Sequence, residues 1–348
     1  MKDYLILGQG IAGSLLAWEL IQAGKRVMVI DNGHQHASSK VAAGLINPIT
    51  GMRVVKSPHT EAWLAAADSL YAQMQERLSI QIRHELPMWR IFTNPKQQQA
   101  WQERLAEADY APYIGAPMEA GQALPYRAEL GLAEITHTGY IDTKLLLTTI
   151  RGWLQQQQSY RQMECDYGQI SISADGVRLG EDTARQLIFC EGYRATGNPW
   201  FTDLPLTPVK GEILTLECEQ TLPQAIANFG KWVLPLGPLQ FKLGATYDWQ
   251  HVDQEPTEKA REHLLQELDR HTRTHLHPRV LEHEVGMRPN SRDRLPLIGA
   301  HPNEPRLWMF NGFGSRGSLM IPYYARLLRR HMLEGKPLDG DSDLARWY

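Results

Sequence analysis

The stretch Tyr4–Asp31, YLILGQGIAGSLLAWELIQAGKRVMVID, decides the architecture. Tyr4–Leu7 is a short apolar run that reads as a buried strand. Ile11 to Ala23 reads as a helix, with Leu15, Leu16, Glu19 and Leu20 at helical spacing and Gly24 placed to stop it. Arg26–Ile30 is a second apolar strand, ending at Asp31. Strand, helix and strand in this order predict a βαβ unit and a parallel sheet. Gly8-Gln9-Gly10-Ile11-Ala12-Gly13 is a GxGxxG at the strand–helix junction, and Asp31 follows Gly13 by 18 residues. That is the full context of a dinucleotide fingerprint. Gly8 allows the tight turn, Gly10 lets a pyrophosphate approach the backbone, and Gly13 lets helix and strand pack closely. The helix N-terminus offers N–H groups and a positive dipole end to phosphates. Asp31 can accept from a ribose hydroxyl, which argues against a ribose 2′-phosphate. The motif does not choose between NAD and FAD.

Outward from this unit, Ser38–Gly51 is a small-residue loop without periodicity. His59–Leu78 reads as a helix with Trp63, Ala67, Leu70, Met74 and Leu78 on one face. A Gln-rich helix surrounds Gln97–Gln99, and Asp142 is a good N-cap for a helix through Leu154. Ile170–Ser173, Val177–Leu179 and Gln186–Cys190 read as strands, as do several segments of 205–250. Glu258–His271 reads as a polar helix. Leu307–Phe310 reads as a strand, Asn311–Gly317 as a Gly-rich turn, and Ser318–Glu334 as a helix closed by Gly335. No internal repeat or linker divides the chain, so its two domains are expected to interleave.

The 348 residues can bury a large core. With 36 Lys plus Arg against 39 Asp plus Glu, the net charge of −3 gives no support for a nucleic-acid partner. Cys165, Cys190 and Cys218 are far apart and form no CxxC, which argues against a disulfide framework or structural zinc. No signal peptide or membrane span is evident, and a cytoplasmic location is expected. His271, His275 and His277 are close in sequence but lack a HExxH pattern, so no metal is expected. Trp200, Trp232, Trp249 and Trp308 read as packing residues, with Trp232 or Trp249 as possible pocket walls.

Further segments complete a pattern. They are Ser38-Ser39-Lys40-Val41-Ala42-Ala43-Gly44, Gly139-Tyr140-Ile141-Asp142, Ile188-Phe189-Cys190-Glu191-Gly192 and Pro208-Val209-Lys210-Gly211-Glu212. Gly286-Met287-Arg288-Pro289 follows, then Ser291-Arg292-Asp293-Arg294-Leu295-Pro296-Leu297-Ile298-Gly299, and last Asn311-Gly312-Phe313-Gly314-Ser315-Arg316-Gly317. With the N-terminal motif, this series resembles the D-amino-acid oxidase-like FAD oxidoreductases in family order. That family includes glycine oxidase, sarcosine oxidase and the flavin domain of the bifunctional tRNA 5-methylaminomethyl-2-thiouridine biosynthesis enzyme. The GSRG form of the closing turn is nearest to the last of these. Cys190-Glu191-Gly192 departs from the family's A-x-G, and Leu45–Thr50 matches no active-site loop of the family.

The resemblance implies an α/β fold, with an FAD-binding Rossmann-like domain (1–80, 136–204 and 286–348) and a β-rich substrate-binding domain (81–135 and 205–285). It implies FAD contacts at Gly8, Gly10, Ile11, Ala12, Gly13, Asp31 and Asn32. Further contacts fall at Ser39, Lys40, Ala43, Gly44 and Gly192, and at Gly312, Phe313, Gly314, Ser315, Arg316 and Gly317. No Cys or His stands at a flavin-attachment position, so the FAD is expected to be non-covalent. Arg288 would grip a substrate carboxylate, which suits a guanidinium; the alternative is a structural pairing with Asp293 or Glu284. Lys242 would sit by the flavin and promote reaction with oxygen, or else be a solvent-facing residue of an alternating strand. Tyr247, and also Arg53 and Asn47, are candidates for the substrate pocket.

The activity implied is oxidation of the C–N bond of a small amino acid or N-substituted glycine, with oxygen or another electron acceptor. The alternatives are oxidative deacylation of a carboxymethylaminomethyl-uridine in tRNA, a flavin-binding protein without catalysis, and oxidation of a 2-hydroxy acid.

Overall fold

The computed structural model describes residues 1–35, 37–51, 53–119, 125–273 and 275–348. The opening unit forms as its periodicity dictates. Lys2–Leu7 is a strand, Ile11–Gln22 a helix and Val27–Asp31 a strand parallel to the first, with Tyr4 opposite Val27 and Leu7 opposite Ile30. Gly24 stops the helix region with φ of 76°. The first strand is buried on both faces. Tyr4 and Ile6 enter one apolar cluster, with the helices Ile11–Gln22 and Gly317–Glu334, and Leu5 and Leu7 enter another. A central parallel strand must do this, which is why its sequence is a continuous apolar run.

The parallel core of this sheet runs Tyr160–Gln162, Val27–Asp31, Lys2–Leu7, Asp182–Phe189 and Leu307–Asn311. Gly176–Leu179, Ile170–Ser173 and Leu297–Ala300 add antiparallel strands. The carboxyl ends of the parallel strands carry the Gly-rich turns at Gly8, Gly192 and Gly312, where ligands of such sheets bind.

A second sheet has seven strands. Their order is Arg279–Ser291, Leu206–Glu217, Gln240–Gly244, Trp232–Pro235, Ile226–Asn228, Met88–Ile91 and Leu132–Ile135. One face buries Leu214, Leu216, Phe241 and Leu243 against Leu264 and Leu268 of the helix Glu258–His271. The opposite face, carrying Gly211, Ile213, Trp232 and Arg288, lines a cleft against the first sheet. The chain passes between the sheets repeatedly, so the two units interleave.

One segment differs from the sequence reading, and another forms an element where that reading placed none. The segment expected as one loop over 38–51 contains a short helix, Ser38–Val41, and two short strands, Leu45–Ile46 and Ile49–Thr50. Leu45–Ile46 pairs with Gly139–Ile141 through backbone groups, which leave no side-chain period to read. The segment around GxRP is the middle of the 13-residue strand Arg279–Ser291, although Gly286 and Pro289 look like breakers. Proline is tolerated there because the strand is the sheet edge. Residue 286, where the sequence reading put a domain boundary, lies inside this strand.

Candidate active site

The cleft between the sheets holds about 1630 Å3 of empty space, including solvent at its mouth. Its first half is built on the fingerprint. No side chain caps the helix at Gly10, and Ser39 Oγ accepts from the Ile11 N–H at 3.1 Å. Gly8 has φ of 102°, and a Cβ there would lie 2.5 Å from the Cys190 carbonyl oxygen. Gly13 does not line the cleft; a Cβ there would collide with the Gly8 carbonyl, so its role is the close packing of helix on strand.

Asp31 is buried, and its carboxylate accepts from the backbone N–H groups of Gln9 (2.9 Å), Gly33 (2.8 Å) and His34 (2.8 Å). It therefore shapes the turn as well as facing the cleft beside Asn32. Met163, Glu164, Cys165 and Tyr167 form the wall across from them.

The middle of the cleft is bordered by Ala42, Ala43 and Gly44 on one side and Phe313, Gly314, Ser315 and Gly317 on the other. Gly44 has φ of 68° and sits against the Ile141 carbonyl, while Gly314 has φ of 55° and sits against the Asn290 side chain. The helix Gly317–Glu334 opens here without a side-chain cap, leaving its positive end toward the cleft. Gly312, Lys40 and Arg316 lie outside the lining. Gly312 forms the turn with φ of 82°, and the Arg316 guanidinium lies 5.3 Å from the centre of the Trp63 ring.

At the far end stands Arg288. Its Nη1 donates to the Thr246 carbonyl at 3.1 Å, and its Cζ lies 4.2 Å from the centre of the Tyr247 ring. Burial lowers its pKa from the ordinary guanidinium value. Among the described residues no carboxylate pairs with it: Asp293 binds Arg346 at 3.0 Å, and Glu284 binds Lys242 at 3.0 Å and Lys144 at 2.9 Å. Gly211 lies under the guanidinium, where any Cβ would overlap Nη2. Beyond it the wall is apolar. Ile213 and Trp232 line it, and the Trp232 ring covers Gly244, with Cζ2 2.6 Å from where a Cβ would stand.

These two halves fit a long dinucleotide whose reactive end reaches a cation-bearing pocket. The dinucleotide end is a cradle of positive-φ glycines, where a side chain at Gly8, Gly44 or Gly314 would strike neighbouring protein atoms, and of two helix starts that open toward the cleft. The FAD dependent oxidoreductase (DAO) family matches residues 3–330. The chain belongs to this family.

It is an FAD-dependent oxidoreductase of the DAO type, and its fold is shared widely. It is 24% identical to a glycine oxidase of Pseudomonas putida over 97% of this chain and 96% of that one. A solved glycine oxidase from Geobacillus kaustophilus superposes with a TM-score of 0.82 at 20% identity, covering 99% of this chain and 97% of that one. An iminodiacetate oxidase from Chelativorans superposes equally well, with a TM-score of 0.82 at 21% identity and 98% coverage of each chain.

Within this DAO frame, Lys242 stands apart from the expected position. It shares the cleft-side face of its strand with Thr215 and Glu284, but its ammonium is held by Glu284 and it does not line the cleft. Burial pushes the Glu284 carboxyl up, yet Lys144 and Lys242 together hold it below the usual carboxylate range. Asn47 caps a turn by accepting from the Ile49 N–H at 3.0 Å, and Arg53 is exposed; neither lines the cleft. The His271 ring stacks on Phe229 and His275 pairs with Asp269. Trp249 is exposed and Trp200 stacks on Phe189.

The sequence reading missed Glu191 as a site residue. It sits in the cleft wall and accepts from the Tyr167 hydroxyl at 2.7 Å and the Asn198 amide at 3.0 Å. Its only sequence signal was the departure from A-x-G. No helix among the described residues is long and apolar enough to cross a membrane.

Proposed function

We propose that this enzyme oxidises the C–N bond of a small amino acid or N-substituted glycine carrying one carboxylate, using FAD held non-covalently. The observation that carries the reading is Arg288: a half-buried cation with no counter-charge among the described residues, one face covered by Tyr247 and its Nη2 over Gly211. Such a group calls for a bidentate anion, and a carboxylate matches its fork. FAD, when bound, supplies the acceptor for the hydride released from the substrate C–H.

The chain's own residues position and desolvate. Arg288 fixes the carboxylate, Tyr247 closes over the guanidinium, and Ile213 and Trp232 keep water from the carbon under attack. Among the described lining residues the titratable group stacked on Arg288 is Tyr247, and Lys231 lies just behind the lining with its ammonium on the Ala245 carbonyl at 3.1 Å. With no carboxylate or imidazole paired with Arg288 among the described residues, the substrate loses its ammonium proton to solvent before its lone pair can assist. A 2-hydroxy acid would need a base here, so the amine reading is favoured. The apolar wall offers nothing to a second carboxylate, which disfavours iminodiacetate as a substrate.

The test is anaerobic bleaching of the visible flavin band by glycine, sarcosine, D-alanine, D-proline, iminodiacetate and a 2-hydroxy acid. Bleaching by a monocarboxylate amine, lost in Arg288→Ala, is expected. Bleaching by the hydroxy acid, or bleaching that survives Arg288→Ala unchanged, would overturn the proposal. A yellow protein bleached by none of them would move the search to the modified uridine of tRNA.

A further inference from the structure

We propose that Glu191 is a proton-bearing contact to the bound dinucleotide: its carboxyl is neutral in the loaded protein, donates its proton to a phosphate or ribose oxygen, and takes that proton from solution as FAD binds. The inference rests on the family's FAD and is independent of the substrate.

The position comes first. Glu191 follows the strand Asp182–Phe189 and stands beside the phosphate turn, its Cα 3.4 Å from where a Gly8 Cβ would be. An ionised carboxylate there would face an arriving diphosphate at close range, a like-charge contact inside a cleft that binding dries out.

Burial makes the ionised form costly, and the Tyr167 and Asn198 donors and the Arg194 charge offset it only in part. The wall segment Met163–Tyr167 brings the carboxylates of Glu164 and Asp166, the thiol of Cys165 and the Tyr167 hydroxyl to this region. From the following turn come Tyr193 and Arg194, and from its own strand end the buried thiol of Cys190. The nearest cation, Arg194, is exposed and already paired with Glu164. Tyr167 and Asn198 each donate to one of the two carboxylate oxygens, which fixes the group in the cleft wall. Burial lifts the carboxyl to about 7 before any ligand is present, and the charge of a diphosphate can only lift it further.

The experiment dilutes flavin-loaded protein across pH 6 to 9 and reads equilibrium release by the recovery of flavin fluorescence. For the native chain, affinity is expected to fall by about tenfold per pH unit above neutrality, the signature of one linked proton. Glu191→Gln, which keeps the shape and a permanent donor, is expected to bind tightly with no such slope. Tyr167→Phe removes a donor that favours ionisation, so the onset of the slope should move to higher pH, and this variant decides the matter if Glu191→Gln does not fold. ADP and adenosine as competing ligands separate the acceptors. A pH slope for ADP but not adenosine assigns a phosphate oxygen, and a slope for both assigns the ribose. The proposal is overturned by a native profile that is flat while Glu191→Gln binds weakly, which would mark an ionised acceptor of a ribose hydroxyl. It is overturned equally by the same slope in Glu191→Gln, or by an unmoved onset in Tyr167→Phe.

Discussion

Gly211 and Arg288 form a matched pair on opposite strands, one lacking a side chain where the other needs room. Arg288→Ala should lower kcat/KM for a monocarboxylate amine by roughly 30- to 5000-fold, the about 2–5 kcal/mol of a lost buried charged contact. Gly211→Ala, with the arginine still present, should raise KM by about tenfold because the guanidinium is displaced from the carboxylate. With no carboxylate or imidazole among the described residues paired with Arg288, and the Lys231 ammonium held on the Ala245 carbonyl, kcat/KM should rise with pH until the substrate amine itself is neutral. A bell-shaped profile with a lower limb set by the enzyme would contradict that. Lys242→Met should leave flavin reoxidation by oxygen within about twofold of the native rate, since the ammonium is committed to Glu284. The pairing that separates these two cations was not legible in the sequence. Arg288 and Lys242 both sit in family-like motifs, and the register that puts Glu284 beside Lys242 is not encoded in either.

Elements carried most of what could be read beforehand. The βαβ unit was legible because its strands are buried on both faces and its glycines mark one junction. The helix after Asp142 was legible because the cap is local, with the side chain accepting from the Leu145 N–H at 2.9 Å. Asp142→Ala should cost about 1 kcal/mol in chemical denaturation. The local structure of Ser38–Gly44 was not legible, since long-range backbone contacts hold it. Ala42 O accepts from Thr143 Oγ1 at 3.0 Å, and Gly44 lies against Ile141. Gly44→Ala combines a left-handed φ with that collision, and should cost about 2–4 kcal/mol and weaken flavin retention together. The wall Met163–Tyr167 is likewise an irregular stretch whose place opposite Asp31 follows from sheet order, which no local pattern encodes.

For the whole molecule, Glu191 sets a pH dependence opposite to that of a salt-bridged acid. Its carboxyl is raised from 4.5 to about 7 in the folded state, so the folded chain holds a proton that the unfolded chain releases. Stability of the flavin-free protein should therefore decline as pH rises from 4.5 to about 7 and level off above. Because the group touches cleft water, Glu191→Gln should recover about 1–3 kcal/mol at pH 8 in urea unfolding, and nothing near pH 4. The Ser38 hydroxyl joins the two halves of the cleft. It donates to the Met287 carbonyl at 2.5 Å and accepts the Met287 N–H at 3.1 Å, one residue before Arg288. A segment that borders the dinucleotide half of the cleft is thus fastened to the strand that carries Arg288. Thermodynamic reciprocity then applies: whatever factor FAD adds to the affinity for a non-reacting carboxylate, that carboxylate must return to FAD. In a metabolite-rich cell, retention of the coenzyme by this protein would then rise and fall with the supply of its own substrate acids.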